Sequence, residues 1–198
     1  MALNQLLAFV CLAALLHAQP FLYSQSLSIH SSYSETSDIS GDNQVLVIGN
    51  SNTNATYIFR NNASFFMPTT RIPAFASEVK LVDITDDGKW ILVVELSGLI
   101  RLVNYTRESN AVVLFNLPFD LGNQTEAGAI SDDHQRLFLG DHSGLLHVVE
   151  FNPATLALAL TQVFEGDGPI QHISLTPNQQ FLALQHLWQE GLCAEERG

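Results

Sequence analysis

Six acidic and imidazole side chains lie at or near the ends of predicted strands, where a folded chain could bring them together. They are Glu95, Glu126, Asp141, His142, Glu165 and Asp167. Several carboxylate oxygens around one point are the ligand set that Ca²⁺ prefers. The chain has no D-x-D-x-D-G loop, however, so the sequence favours solvated acidic loops over a metal site. We predict no metal ligand and no cofactor.

Two pairs of neighbouring aspartates could act as a general acid and a general base, but their context indicates turns. Asp86-Asp87 and Asp132-Asp133 each follow a short apolar run, at the same place in a repeated pattern. An aspartate at the start of a turn bonds to its own backbone, and a glycine such as Gly88 accepts positive φ. We interpret both pairs as turn formers.

The serine and histidine residues also lack a catalytic pattern. Ser131 and Ser143 have no G-x-S-x-G context, which a nucleophile elbow requires. His142 and His147 are five residues apart, which is not the H-E-x-x-H spacing that places two imidazoles on one helix face. A strand histidine with satisfied hydrogen bonds fits this spacing better than a metal ligand does. The sequence therefore predicts no catalytic residue.

Four N-x-[ST] sequons predict glycosylation, at Asn54, Asn62, Asn104 and Asn123. In an exported chain such asparagines are acceptors for N-linked glycans. The alternative is that Asn, Ser and Thr are simply frequent in the turns of this chain.

The start of the chain has the pattern of a signal peptide, which we assign to residues 1–18. Leu6–Leu16 is an eleven-residue apolar run, too short to cross a bilayer, and Ala18 offers a small residue before a cleavage. A buried first helix is the alternative. We expect a secreted or lumenal protein without a stable membrane span. Residues 19–38, rich in Ser and Tyr, are predicted to be a linker.

Composition and cysteine count limit the function classes. The 198 residues carry a formal net charge of −12, which repels phosphate backbones and anionic membranes and so disfavours nucleic-acid binding. The two cysteines are Cys11 and Cys193. Removal of the signal would leave Cys193 alone, without an internal disulfide, and we expect this thiol to be exposed among charged residues.

A repeated strand-turn-strand pattern must position all of these residues. Ile39, Ile84, Ile130 and Leu175 hold the same place before a turn, about 45 residues apart, which is the period of a four-stranded propeller blade. The run Trp90 to Val94 lacks alternation, which indicates a strand buried on both faces, with Trp90 between two blades. The predicted fold is all-β, a partial β-propeller of antiparallel blades over residues 39–187, followed by an irregular tail, 188–198.

One segment fits the repeat less well. Residues 153–164, PATLALALTQVF, follow Asn152, a candidate helix cap, and begin with a proline. A helix is therefore one alternative for residues 153–164. The repeat places an outer strand there, and we follow the repeat.

The repeats resemble those of the WD-repeat and related seven-bladed propeller families. The resemblance rests on ITDDG at 84–88 with LIRLV at 99–103, and on ISDD at 130–133 with GDHSGL at 140–145. It implies that turns between second and third strands share a face with the links between blades. The six acidic and imidazole side chains would then gather on one face.

The repeats amount to about three and a half blades, whereas closed propellers carry four to eight. We therefore expect a truncated product, or open blade edges that another copy covers by self-association. By the same analogy Asn54 and Asn123 share one face, and Asn62 and Asn104 lie towards the other. Sugars on both faces would leave the rim and the blade edges as the main free surfaces for strand addition.

Two functional hypotheses follow. The first is an exported, non-enzymatic scaffold that binds a protein or glycan partner. The second is a piece of a propeller enzyme, of the lactonase or hydrolase type, whose active residues lie in further blades. The first requires no catalytic group and is the one we favour.

Overall fold

The computed structural model describes residues 34–63, 65–72, 75–117, 125–176 and 182–186. The described residues form fourteen β-strands and no helix. They form four antiparallel sheets in which each strand pairs with its neighbours in sequence. The predicted all-β fold with four-stranded antiparallel blades is therefore confirmed.

Each sheet is one blade of the repeat. Blade 1 comprises β1 (Ser34–Ile39), β2 (Val45–Asn50), β3 (Ala55–Asn62) and β4 (Phe65–Ile72). Blade 2 comprises β5 (Val79–Ile84), β6 (Trp90–Glu95), β7 (Ile100–Thr106) and β8 (Ala111–Asn116). Blade 3 comprises β9 (Thr125–Ile130), β10 (Arg136–Asp141), β11 (Leu145–Asn152) and β12 (Ala157–Glu165). The described part of blade 4 comprises β13 (Ile170–Leu175) and β14 (Leu182–His186).

The blades pack face against face, with their first strands side by side. Contacts join β1 to β5, β5 to β9 and β9 to β13, so the first strands are innermost and β4, β8 and β12 form the rim. Apolar side chains fill each gap between blades. Examples are Val47, Ile58 and Val93 between blades 1 and 2, Leu92, Leu102 and Leu139 between blades 2 and 3, and Leu146, Ile170 and Ile173 between blades 3 and 4.

In blades 1, 2 and 3, a local hydrogen-bond motif makes the turn between the first and the second strand. In blade 2, Thr85 Oγ1 accepts from Trp90 N at 3.1 Å and donates to Asp87 Oδ1 at 2.8 Å. Asp87 Oδ1 also accepts from Lys89 N at 3.0 Å, and Gly88 between them has φ of 68°. The same bonds join Ser40, Asp42, Gln44 and Val45 in blade 1, and Ser131, Asp133, Gln135 and Arg136 in blade 3. The prediction that the aspartate pairs form turns is confirmed.

Carboxylates of the first strands join one blade to the next. Asp38 Oδ2 accepts a hydrogen bond from Ile84 N at 2.8 Å, and Asp83 Oδ2 accepts one from Ile130 N at 2.7 Å. These bonds place charged groups in the otherwise apolar gaps between blades. They also fix how far neighbouring blades are shifted along their first strands, because each bond uses a backbone amide of the first strand in the next blade.

The structure changes one predicted boundary and decides one alternative that the sequence left open. β1 begins at Ser34, so residues 34–38 belong to a strand and not to the predicted linker. The ladder with β2 makes this polar segment a strand, and the Thr36 hydroxyl, which accepts from Val82 N at 3.1 Å, ties it to blade 2. The segment 153–164 forms a four-residue turn followed by β12, as the repeat predicted.

Candidate functional site

The antiparallel order of the strands gives the molecule two faces. We call the turn face the one that carries the first-to-second and third-to-fourth strand turns of each blade. The link face is opposite and carries the second-to-third strand turns and the links between blades. The candidate functional site is a pair of clefts on the turn face.

The first cleft lies in blade 2 and has a volume of about 450 Å³. Arg107, from the third-to-fourth strand turn, crosses its base and donates hydrogen bonds to the Asp42 carboxylate and to the Asp87 carbonyl. The buried Tyr105 donates its hydroxyl to Asn110 Oδ1 at 2.9 Å and so holds the same turn. The remaining lining residues are Lys89, Asn104, Thr106 and Glu108.

The second cleft lies in blade 3 and has a volume of about 480 Å³. Arg136 and Glu150 lie directly opposite each other on β10 and β11, and both are exposed. Asn152 Oδ1 accepts from the amides of the following turn and fixes one wall. The other lining residues are Gln135, Phe151, Pro153, Ala157 and Ala159.

The two clefts are repeats of each other. Lys89, Asn104 and Arg107 in blade 2 stand where Gln135, Glu150 and Pro153 stand in blade 3. Both clefts therefore open between the first turn and the last turn of one blade. Each contains exposed charges of both signs, which are Lys89 with Glu108 in the first and Arg136 with Glu150 in the second. Sequence reasoning missed the clefts, because none of these four charges has a charged residue at the equivalent position of the other blade.

The ionisation of the turn aspartates is set by their hydrogen bonds. Burial opposes the charge of Asp87, but hydrogen bonds from Lys89 and Thr85 outweigh it and lower the pKa of this carboxyl to about 2. The Asp87 carboxylate also lies 2.8 Å from Lys89 Nζ and 3.2 Å from His134 Nε2. For Asp42, burial is likewise outweighed by hydrogen bonds from Arg107 and Ser40, which lower its pKa. The lowered pKa values of Asp42 and Asp87 favour the charged carboxylates at the first cleft, next to the cations Lys89 and Arg107.

Two other aspartates have a raised pKa instead of a lowered one. Burial, together with the charge of Asp38 and Asp132, raises the pKa of Asp83 well above its ordinary value. Burial and the neighbouring Asp132 also raise the pKa of Asp86. Carboxylates of successive blades thus approach one another along the inner strands at the turn face.

The acidic and imidazole side chains predicted to gather on one face form separate pairs at the link face. Glu95 is fully buried and accepts from Arg101 Nε at 2.8 Å and from Ser77 N at 3.1 Å. Asp141 Oδ2 lies 3.1 Å from His147 Nε2. His147 therefore lies in a strand as predicted, with a partner at Nε2, but its buried Nδ1 has no hydrogen-bond partner among the described residues.

Glu126 has its own partners at the same face. Its carboxylate lies 3.2 Å from Lys80 Nζ and 3.5 Å from His142 Nδ1. Glu165 and Asp167 are exposed. Within the described ranges, no three His, Cys, Asp or Glu side chains are grouped so that they could hold a metal ion.

The predicted glycosylation sites have different local structures. Asn54 closes the turn after β2 with φ of 47°, and Asn62 is exposed at the end of β3. Asn104 lies inside β7, opposite Trp90 and Val113, and lines the first cleft. Asn123 lies outside the described residues, as do Ala18, Cys11 and Cys193. The part of the chain that the structure describes contains no helix with the length and apolar character of a membrane span.

Comparison with known proteins supports the fold and no more. No family model and no curated protein matches the chain. Among solved structures, it is similar to the Cps50 (Swd1) β-propeller domain of Myceliophteria thermophila, with a TM-score of 0.68 and 14% identity over 82% of this chain and 52% of that one. It is also similar to a candidate 6-phosphogluconolactonase of Bacteroides uniformis, with a TM-score of 0.65 and 13% identity over 84% of this chain and 53% of that one.

A third likeness is to hydrazine synthase of Kuenenia stuttgartiensis, with a TM-score of 0.61 and 13% identity. The chain covers 45% of that structure and 53% or less of the other two, so it spans about half the length of the proteins it resembles. The predicted resemblance is confirmed at the level of the propeller fold, and membership in the WD-repeat family stays a prediction. The chain is a set of four-stranded β-propeller blades.

Proposed function

We propose that this protein is an exported propeller scaffold that binds a protein partner across its turn face. The observation that carries the proposal is the presence of two repeat-related clefts on that face, in blades 2 and 3. Ligand sites are concave and contain a few placed polar groups on a rigid frame. Here the frame is provided by turns in which Thr85, Asp87 and their equivalents are fully hydrogen-bonded.

The chemistry of the clefts favours a polypeptide. Each cleft presents both a cation and an anion, so neither selects a polymer of one charge. Beside Arg136 and Glu150, the second cleft also offers apolar surface from Pro153, Ala157 and Ala159. A segment that alternates charged and apolar side chains would satisfy both clefts at once. A glycan would use the polar groups but leave the apolar surface without a partner.

Site-specific crosslinking tests this proposal. A photoreactive phenylalanine replaces Gln135 on the turn face or His142 on the link face, in protein made by secreting cells, because both side chains are exposed. We expect a discrete protein adduct from position 135 and none from position 142. The adduct should be lost in an Arg136→Glu background and kept in a Glu78→Lys background, which changes a charge on the link face. Adducts from position 142 alone, or a glycan as the captured species, would contradict the proposal.

The second hypothesis, a piece of a propeller enzyme, is open to direct assay. One neighbour in fold is described as a candidate 6-phosphogluconolactonase, and at 13% identity this likeness extends to the fold alone. Purified protein should not accelerate the hydrolysis of sugar lactones above the rate in buffer. Turnover that disappears on mutation of a cleft residue would favour the enzyme hypothesis instead.

A further inference from the structure

The rim strand of blade 3 is an unprotected sheet edge. β12 is nine residues long, ends its sheet, and among the described residues pairs on one side only, with β11. All but one of its residues are exposed, including Leu160, Val163 and Phe164. An exposed, long, apolar edge strand offers backbone donors and acceptors to another strand. This edge points away from the neighbouring blades, because β12 is the outermost strand of its sheet.

The other rim strands are protected. β4 contains Pro68, which removes a backbone donor, and the exposed Arg71, which places a charge beside the edge. β8 has only six residues, and half of its side chains pack into the gaps between blades. β12 has neither a proline nor a charged residue before Glu165 at its end. Natural sheets carry such features to prevent pairing with other chains. Their absence from β12, one of the three rim strands described, therefore indicates that this edge is open to pairing.

The bulge in β12 is compatible with pairing between two copies. Thr161 is an extra residue in the ladder with β11, and its hydroxyl donates to Val148 O at 3.2 Å. It separates two straight runs of four residues, 157–160 and 162–165. In an antiparallel pair of β12 strands centred on Thr161, the first run of each copy faces the second run of the other. Ala157 then lies opposite Glu165 of the second copy, and the two bulges meet at the centre.

The distribution of charge also favours a second copy of this chain as the partner. The chain carries a formal net charge of −12, so two copies repel each other over most of their surfaces. β12 is a strip without charge except at Glu165. Antiparallel pairing puts the two Glu165 side chains at opposite ends, about 27 Å apart at the rise of a strand. We propose that two copies of this chain associate through their β12 edges into one continuous sheet across blade 3 of each.

Two matched substitutions on purified protein test the proposal. Val163 on β12 is 49% exposed and Val113 on β8 is 51% exposed, so a lysine at either position disturbs the fold equally little. By light scattering after size exclusion, the unchanged protein and Val113→Lys should have the mass of two chains. Val163→Lys should shift to one chain, with at least a tenfold weaker dimer, and Leu160→Lys should do the same. Circular dichroism spectra identical to that of the unchanged protein exclude unfolding as the cause.

Salt gives a second readout. Raising the salt concentration from 0.1 M to 1 M shortens the Debye length from about 10 Å to about 3 Å, which screens the repulsion between copies. The dimer should therefore become stronger. A monomeric unchanged protein at both concentrations, or a dimer that survives Val163→Lys and Leu160→Lys, overturns the proposal. Both measurements use the protein alone, so they are independent of the partner proposed for the turn face.

Discussion

At the scale of single residues, aspartates perform two different tasks in this repeat. Asp42, Asp87 and Asp133 lie in the first turns of blades 1, 2 and 3 and accept hydrogen bonds from a hydroxyl and from a backbone amide. Asp38 and Asp83 lie between blades and accept from the next first strand. The first group is stabilised as carboxylates by donors, whereas Asp83 is buried beside other carboxylates, so acid affects the two groups in opposite ways.

Replacing Asp87 by Ala should lower the free energy of unfolding by about 1–3 kcal/mol, because the Thr85 hydroxyl and the Lys89 amide lose their acceptor. The folded-state pKa of Asp87 is about 2, below the ordinary 3.8. Its contribution is therefore present above pH 3.8 and is lost as the pH falls through about 2. Urea unfolding from pH 7 to pH 2 should show the two proteins converging in acid. A constant difference across that range would mean that the carboxylate is not the stabilising group.

Replacing Asp83 by Asn should have the opposite sign. The raised pKa of Asp83 means that the folded protein holds this proton more tightly than the unfolded chain does. The unchanged protein therefore loses stability as the pH rises from 3.8 through the raised folded-state value. Asn keeps an oxygen for Ile130 N and removes the charge, so Asp83→Asn should be more stable than the unchanged protein at pH 8, with a smaller advantage at pH 5. A destabilised variant at pH 8 would show that the charge itself holds the blades together.

At the scale of strands and sheets, packing between blades carries the stability. Trp90 is 5% exposed in the gap between blades 2 and 3, with its ring centroid 4.7 Å from that of Phe151 in an edge-to-face contact. Trp90→Ala should cost about 3–5 kcal/mol of unfolding free energy, the range for a large buried aromatic side chain. Val113→Ala, at an exposed rim position, should cost less than about 0.5 kcal/mol. Chemical denaturation of both variants checks the pair, and a loss under about 1 kcal/mol for Trp90→Ala would place that side chain at the surface.

The strands of the repeat were predictable because each has a local signal. Thr85, Asp87 and Gly88 form their turn with bonds that span five residues or fewer, so the sequence alone indicates it. β1 pairs with β2, its neighbour in sequence, but it was missed over residues 34–38 because this polar segment has no apolar pattern and its side-chain partners are remote. The Val82 amide that Thr36 accepts from and the Ile84 amide that Asp38 accepts from belong to the next blade. The turn and strand from 153 to 165 needed the repeat as well as the local pattern, since proline and alanine fit a helix equally well.

The clefts were not predictable for a related reason. Arg107 reaches Asp42, which lies 65 residues earlier in the chain, and no local pattern marks that contact. The charged side chains of the link face were identified as strand-end residues, but their pairing depends on distances across blades, such as Lys80 to Glu126. Sequence reasoning named the link-face residues, missed which of them meet, and did not identify Arg107, Arg136 or Glu150 of the clefts.

At the scale of the whole molecule, the described blades form one repeated body with two proposed contact surfaces, the turn face and the β12 edge on the rim. The proposed partner contacts the turn face, whereas a second copy would add at β12 on the rim, so the two events do not compete for the same atoms. Glycans are a third predicted occupant of the surface. The sequence predicts them on both faces, and the local structure distinguishes the described sites Asn62 and Asn104.

Folded molecules made by secreting eukaryotic cells should carry a glycan at Asn62 and none at Asn104. Asn62 is exposed at a strand end, whereas Asn104 is half-buried within β7 and lines the first cleft, where a sugar would have to share the space with Lys89 and Arg107. We expect Asn62→Gln to lose one glycan in electrophoresis before and after glycosidase, and Asn104→Gln to migrate like the unchanged protein. Export also predicts that the mature chain begins near Gln19. A product that keeps Met1 and carries no glycan refutes export, and a shift in Asn104→Gln refutes the protection of that site by the first cleft.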